Sequence, residues 1–217
     1  MLKILETQNL VRVIAFDFSK AFDTVKHASV LESFDKLELP DDVVIFFQNR
    51  THQTKYQNET SNVATINASV IQGSALGPVA LTAIASTLKP ASDKNYIFKY
   101  ADDTYLIIPE DQFNTTEAEI KNIESWAENN NLRLNKEKSK EIIFSRPRNC
   151  HELPEKMDNI PRVQEINVLG ISLDTKLRIR NHVRQTISKC SSQFYTRKIL
   201  RSQENIQNMF SSLVIDR

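Results

Sequence analysis

Glycine is nearly missing from this sequence: Gly73, Gly77 and Gly170 are all that its 217 residues contain. That scarcity excludes collagen-like repeats and flexible Gly/Ser linkers. It also implies that each glycine stands where a Cβ is poorly tolerated. Two of the three fall in "IQGSALGP", residues 71 to 78. Cysteine is almost as rare. Cys150 and Cys190 lie far apart and form no metal-ligand spacing, which excludes a disulfide framework and fits a reducing, intracellular compartment, cytoplasm or nucleus. No apolar run approaches the about 20 residues of a membrane span, and no secretory segment follows Met1. The histidines His27, His52, His151 and His182 are scattered, which reads as four surface side chains rather than a ligand set.

What is present is ordinary for a soluble globular chain: 40% hydrophobic and 25% charged residues, enough for one domain or slightly more. The net charge of +1 conceals an asymmetry. Residues 1 to 131 hold 11 Lys/Arg against 18 Asp/Glu, whereas residues 132 to 201 hold 16 against 7. Lys176 to Arg201 contains eight basic residues and no acid. Such a run reads either as a solvated helix face or as a track for a polyanion, because clustered cations displace counterions from phosphates.

Local patterns alternate between strand and helix. "VRVIAFDF", 11 to 18, is a buried strand apart from Arg12. Residues 27 to 50 read as two short helices broken at Leu39-Pro40, and 62 to 70 alternate like a strand. Pro78 suits the first turn of a helix with Leu81, Ile84, Ala85 and Leu88 on one face. "TEAE", 116 to 119, reads as a capping box opening a helix that ends at Asn129 to Asn131. Residues 140 to 145 form a strand, 166 to 173 a strand pair, and Val183, Ile187, Cys190 and Phe194 mark one side of a basic helix. Strands and helices that mostly do not alternate as βαβ units indicate an α+β fold.

The chemistry concentrates in "FKYADDTYLIIP", 98 to 109, where two aspartates sit between apolar runs. Asp17 ends another strand. Three carboxylates at strand tips repel one another unless a cation intervenes, and Mg²⁺ takes hard oxygen ligands. The other reading of Asp102-Asp103 alone is a solvated turn.

Taken together and in order, "AFDFSKAFDTV" (15 to 25), "IQGSALGP" and "KYADDTYLI" (99 to 107) resemble the palm motifs of a reverse transcriptase. The similarity is to the jockey-like non-LTR retrotransposons, the long interspersed element type. It continues through "WAENNNLRLNKEKSKEIIF" (126 to 144), "VLGISLD" (168 to 174) and "HVRQTISKC" (182 to 190), and so covers about residues 11 to 201. It implies a palm, an antiparallel sheet with helices on one face, over 1 to 175. The basic helical start of a thumb would follow over 176 to 217.

The implied activity is RNA-directed DNA synthesis with two Mg²⁺ (or Mn²⁺) ions, a deoxynucleotide, an RNA template and a DNA primer. Asp17 and Asp102 match the principal metal-binding aspartates, Asp103 their neighbour, and Phe18 the position whose carbonyl meets metal. Phe22 matches the bulky residue beneath the incoming sugar, and it also reads as core packing. Gln72, Gly73 and Ser74 match the turn beside template base and nucleotide, and Tyr100 belongs to the same motif as the paired aspartates. Lys138 matches a lysine proposed to protonate departing pyrophosphate, and it also reads as a solvated surface lysine. Gly170 matches the hairpin at the primer end, and Arg178, Arg180, Arg184 and Lys189 would meet the duplex backbone.

The fingers that supply basic side chains to the triphosphate are expected to be missing, since Lys3 and Arg12 are the only cations before Asp17. An upstream fingers or endonuclease segment is the implied partner, and no membrane is. Two rivals remain at this level: an inactive or domesticated nucleic-acid-binding remnant, and another metal-dependent nucleotidyl enzyme such as a cyclase.

Overall fold

The computed structural model describes residues 2–37, 41–71, 73–146 and 152–202. They fall into two compact units, Met1–Gln164 and Glu165–Arg217.

The first unit is built on four antiparallel strands: β1 (Leu10–Ser19), β6 (Tyr96–Tyr100), β7 (Asp103–Pro109) and β8 (Arg133–Ser145). Their order across the sheet is β6-β7-β1-β8. β1 pairs with β7 from Val11↔Pro109 to Phe16↔Thr104, and with β8 from Leu10↔Ser145 to Ala15↔Lys140. Alternation along each strand gives the sheet two apolar faces. On one face Ile14, Phe16 and Phe18 join Leu106 and Ile108. That face shares a core with α3 (His27–Asp35), α5 (Leu76–Thr87) and α6 (Thr116–Asn129) through Val30, Phe34, Ala80, Ile84, Ile123 and Ala127. The other face carries Val11, Val13, Ile107, Ile142 and Phe144, which are also buried. Each large apolar side chain fully removed from water contributes about 1.5–3 kcal/mol. The antiparallel sheet with helices packed on one face is the α+β arrangement read from the sequence.

Short elements complete this unit. α1 (Leu2–Thr7) lies against β1, and α2 (Ala21–Thr24) follows it. α4 spans Asp41–Phe47; the expected break at Leu39-Pro40 lies outside the described residues. Residues 51 to 65 form four two-residue strands, β2 (Thr51–His52), β3 (Lys55–Tyr56), β4 (Glu59–Thr60) and β5 (Ala64–Thr65), all exposed. The long strand read over 62 to 70 is reduced to β5 and an isolated bridge of Ala68 to Lys26, with Val63 exposed and Val70 buried.

The capping box at 116 to 119 does not form. A 3₁₀ turn, Glu110–Thr115, leads into α6, so Thr115 is already in the right-handed helical region and makes no side-chain cap. Thr116 Oγ1 donates to Phe113 O at 2.7 Å. Glu119 is fully buried and serves another loop, accepting from Ala91 N at 2.9 Å, Ser92 N at 2.8 Å and Asn95 Nδ2 at 2.8 Å. Those bonds fix the connection between α5 and β6.

Arg12, the polar exception in β1, is also buried. Its Nε lies 2.9 Å from Glu141 Oε1, and Glu141 Oε2 lies 2.6 Å from Arg162 Nε. Arg12 also donates to Thr116 Oγ1 at 2.6 Å and to Glu155 O at 3.1 Å.

The second unit holds a hairpin, β9 (Glu165–Val168) and β10 (Ile171–Asp174), then α7 (Arg180–Ser202). Leu169 and Gly170 turn the hairpin with φ of 49° and 85°, a left-handed pair that glycine makes accessible. Asp174 accepts from Lys176 N and Arg178 N, each at 2.9 Å, and from Arg178 Nε at 2.7 Å. Among the described residues, no helix is long and apolar enough to cross a membrane.

Candidate active site

The paired aspartates sit where the β6–β7 hairpin turns. Tyr100 and Asp103 are opposite partners, so the turn itself is Ala101-Asp102. Ala101 takes φ 52°, a left-handed conformation that costs a residue with a Cβ about 1–2 kcal/mol. The hairpin therefore displays Asp102 at its tip and starts β7 with Asp103. Continuing the β1–β7 register one step beyond Phe16↔Thr104 sets Asp17 across from Asp103. Two adjacent strands thus deliver three carboxylates to one corner of the sheet.

The electrostatics of Asp103 are consistent with that placement. Burial pushes the Asp103 carboxyl above its ordinary range. Asp102 and Asp17 push it the same way, and a side-chain hydrogen bond with Tyr105 opposes them. Among the described residues, no three His, Cys, Asp or Glu side chains close into a ready-made metal group. These carboxylates feel one another across an open corner without forming a tight cage. Hard oxygens with unrelieved like charge are nevertheless the donor set that a divalent cation fits.

Around this corner the other residues named from the sequence take definite places. Phe18 pairs with Leu134, and its ring meets Trp126 edge-on at a centroid distance of 5.9 Å. Phe22 is half-buried against the core, and its carbonyl accepts from Val70 N at 2.7 Å. That bond ties α2 to the segment leading into the "QGS" turn. Gln72 lies outside the described residues. Gly73 has φ 84°, and an added Cβ would meet nothing within 4 Å, so conformation and not crowding requires it. Crowding applies to Gly77, whose added Cβ would meet Ile71 O at 3.1 Å and Ser74 Oγ at 3.2 Å. Ser74 Oγ accepts from Gly77 N at 3.0 Å and donates to Ile71 O at 2.8 Å, holding the start of α5.

Lys138 is exposed on a bulge of β8 whose far side touches the Asp17 backbone. Tyr100 is 66% exposed, and Tyr96 and Phe98 line up with it on the outer face of the edge strand. Lys99 turns the opposite way. Its Nζ donates to Leu88 O at 2.7 Å and to Ala85 O, capping the last carbonyls of α5. Desolvation, aided by Lys89, lowers its pKa to about 8. One lysine therefore ties the aspartate hairpin to the helix that "IQGSALGP" begins. Gly170, Arg178, Arg180, Arg184 and Lys189 belong to the second unit, Gly170 in the β9–β10 turn and the others before or on α7.

Sequence reasoning passed over Lys99 and Ser139, and it assigned Glu119 to a helix cap although that carboxylate secures the α5–β6 connection. The signal for Lys99 was its place in "YIFKY", where strand alternation puts it on the same side as Ile97.

Comparison with known proteins agrees with this arrangement. Residues 3–173 match the family model described as reverse transcriptase (RNA-dependent DNA polymerase). The chain is 30% identical over 182 residues to the RNA-directed DNA polymerase from mobile element jockey of Drosophila melanogaster, covering 77% of this chain and 20% of that protein. It thus spans a fifth of that relative's length. Among solved structures it is similar to telomerase from Candida tropicalis in complex with a fragment of telomeric RNA. That likeness has a TM-score of 0.56 at 16% identity over 82% of this chain and 31% of the other. Apo telomerase from the same organism gives a TM-score of 0.55 at 15% identity, with 82% and 34% covered. These low identities speak to the fold, a reverse-transcriptase-like palm. Members of the family generally use divalent metal ions and an RNA template. The matched palm motifs, the sheet that carries them and the jockey relative together show that this chain belongs to the reverse transcriptase family, as a jockey-like non-LTR member.

Proposed function

We propose that this chain carries the palm of an RNA-directed DNA polymerase, with Asp17 and Asp102 holding two Mg²⁺ (or Mn²⁺) ions. Asp103 stands beside them, and the Phe18 carbonyl completes the set. The observation that carries this reading is the placement of Asp17, Asp102 and Asp103 at neighbouring ends of β1 and the β6–β7 hairpin, where burial first, then the Asp102 and Asp17 charges, raise the Asp103 carboxyl. Bound there, divalent ions supply the counter-charge for attack of a primer 3′-hydroxyl on a deoxynucleotide α-phosphate.

The chain's own residues do the rest. Phe22, braced by Val70, walls the space beneath the incoming sugar and disfavours a ribose. The turn of Gln72, Gly73 and Ser74 borders the nucleotide and template base, and Tyr100 flanks the primer end. Lys138 presents an ammonium to the departing pyrophosphate as a proton donor. Gly170 lets the β9–β10 turn approach the primer, while Arg178, Arg180, Arg184 and Lys189 meet phosphates of the duplex. In this reading 1 to 175 is palm and 176 to 217 begins the thumb. Arg12 is locked onto Glu141, so the triphosphate takes its cations from an upstream fingers segment. The protein works inside the cell, in cytoplasm or nucleus.

Titration calorimetry with Mn²⁺ tests the core of the proposal. Wild type should bind, and Asp102→Asn should bind on the order of tenfold more weakly. Equal affinity in the two would remove the metal site and the reading with it.

A further inference from the structure

The bulge in β8 has a geometric cost at Asp17. β8 follows β1 as far as Ala15↔Lys140 and resumes at Asp17↔Asn135, so Lys136 to Ser139 have no match on β1. Where this detour interrupts the ladder, the part-buried Asp17 amide still needs an acceptor. Ser139 supplies the acceptor. Asp17 N donates to Ser139 Oγ at 3.2 Å, and Ser139 Oγ donates to Asn135 O at 2.7 Å. The side chain is fully buried. A hydroxyl has one proton, so giving it to Asn135 O leaves the lone pairs for Asp17.

Asn135 closes the same bulge from its other end. Its Oδ1 accepts from Lys138 N at 3.1 Å, and its Nδ2 donates to Ser19 Oγ at 3.3 Å. One hydroxyl therefore joins the loop that displays Lys138 to the backbone that displays Asp17. We propose that Ser139 is a positioning residue that couples the Lys138 loop to Asp17, so that displacement of one is transmitted to the other. The coupling concerns polymerase chemistry only insofar as Asp17 holds metal, as proposed above; the hydrogen bond itself does not depend on that reading.

Amide hydrogen exchange on the full chain, with Mn²⁺ affinity measured by electron paramagnetic resonance, separates the two questions. Ser139→Ala should speed exchange at Asp17 by roughly five- to tenfold, the size expected for one lost buried hydrogen bond. Val13 and Ile107, in the same sheet, should keep their protection. Ser139→Thr keeps the hydroxyl and should restore Asp17. Mn²⁺ binding should weaken in Ser139→Ala and recover in Ser139→Thr. Unchanged exchange at Asp17 in Ser139→Ala overturns the proposal. So does equal loss of protection at Val13 and Ile107, which would make Ser139 a general support of the sheet. If Asp17→Asn binds Mn²⁺ as well as wild type, the metal reading falls, and exchange at Asp17 still upholds or overturns the coupling.

Discussion

The sheet of the first unit and the long helix of the second treat apolar side chains in opposite ways. Ile14, Leu106, Ile108 and Ile142 are wholly removed from water. Along α7, Val183, Ile187, Phe194, Tyr195 and Ile199 keep 44%, 60%, 69%, 66% and 41% of their surface exposed. The ionic groups divide likewise. Glu141 is sealed between two guanidiniums, whereas the Asp174–Arg178 pair stands with Arg178 69% exposed. Burial holds the carboxylate corner in place, while α7 owes little of its stability to packing. Most helical stability in proteins comes from an apolar face that is covered. In α7 the Arg, Lys, Gln and Leu positions favour the helix while the Ser, Thr, Asn and β-branched positions do not, so intrinsic propensity gives it mixed support where its apolar residues stay exposed.

The largest expected effects test this contrast by equal chemistry in the two units. Phe34→Ala empties a fully buried site and should cost about 3–5 kcal/mol. Glu141→Gln leaves Arg12 and Arg162 without their counter-charge and should cost a similar amount, about 3–5 kcal/mol. The matching substitutions Phe194→Ala and Asp174→Asn should each cost under about 1 kcal/mol. Urea denaturation of the four variants measures this directly. A cost for Phe194→Ala near that of Phe34→Ala would mean that α7 is packed in solution, and the contrast would be wrong.

The same division explains what was legible in the sequence. β1, the β6–β7 hairpin and the Leu169-Gly170 turn show in the pattern because alternation and turn residues are local properties. The three aspartates are legible because their motifs are contiguous. Glu119 was misread because a capping box demands an extended residue before the helix, and the 3₁₀ turn had already made Thr115 helical. Arg12 and Glu141 lie far apart in the chain, so nothing local announces their pairing. Ser139 acts only because β8 bulges, and no glycine marks that bulge. Supporting residues are less visible than the side chains they support, because their partners are set by tertiary register.

An intermediate effect concerns what the exposed helix is for. If α7 and the segment before it follow a phosphate backbone, every cation removed leaves fewer counterions displaced on binding. Replacing Arg178, Arg180, Arg184 and Lys189 with Gln should lower the slope of log affinity against log salt by about 3 to 4 on a primed RNA–DNA duplex. Fluorescence anisotropy across a salt series reads that slope. An unchanged slope would make the basic stretch a solvated face, and the open apolar residues beside it would need another account.

The smallest effect separates a lysine folded inward from lysines left in water. Desolvation, with help from Lys89, lowers the Lys99 pKa from 10.5 to about 8, although its ammonium donates to Leu88 O and Ala85 O. Below pH 8 the side chain is charged in both folded and unfolded chains, and the full desolvation cost is present. Between about 8 and 10.5 the unfolded chain holds more protons than the folded one, so stability rises with pH. Above 10.5 the cost is gone. Lys99 is only partly buried, and solvent screening limits the gain to on the order of 1 kcal/mol. Denaturation of wild type and Lys99→Met at pH 7.5, 9 and 10 isolates it, because other titrations are shared. Wild type should gain on the variant as pH rises, whatever the offset from losing the α5 cap. A flat difference for Lys99→Met would mean that the two carbonyls stabilise the ammonium as well as water does, and its inward fold would then carry no electrostatic cost.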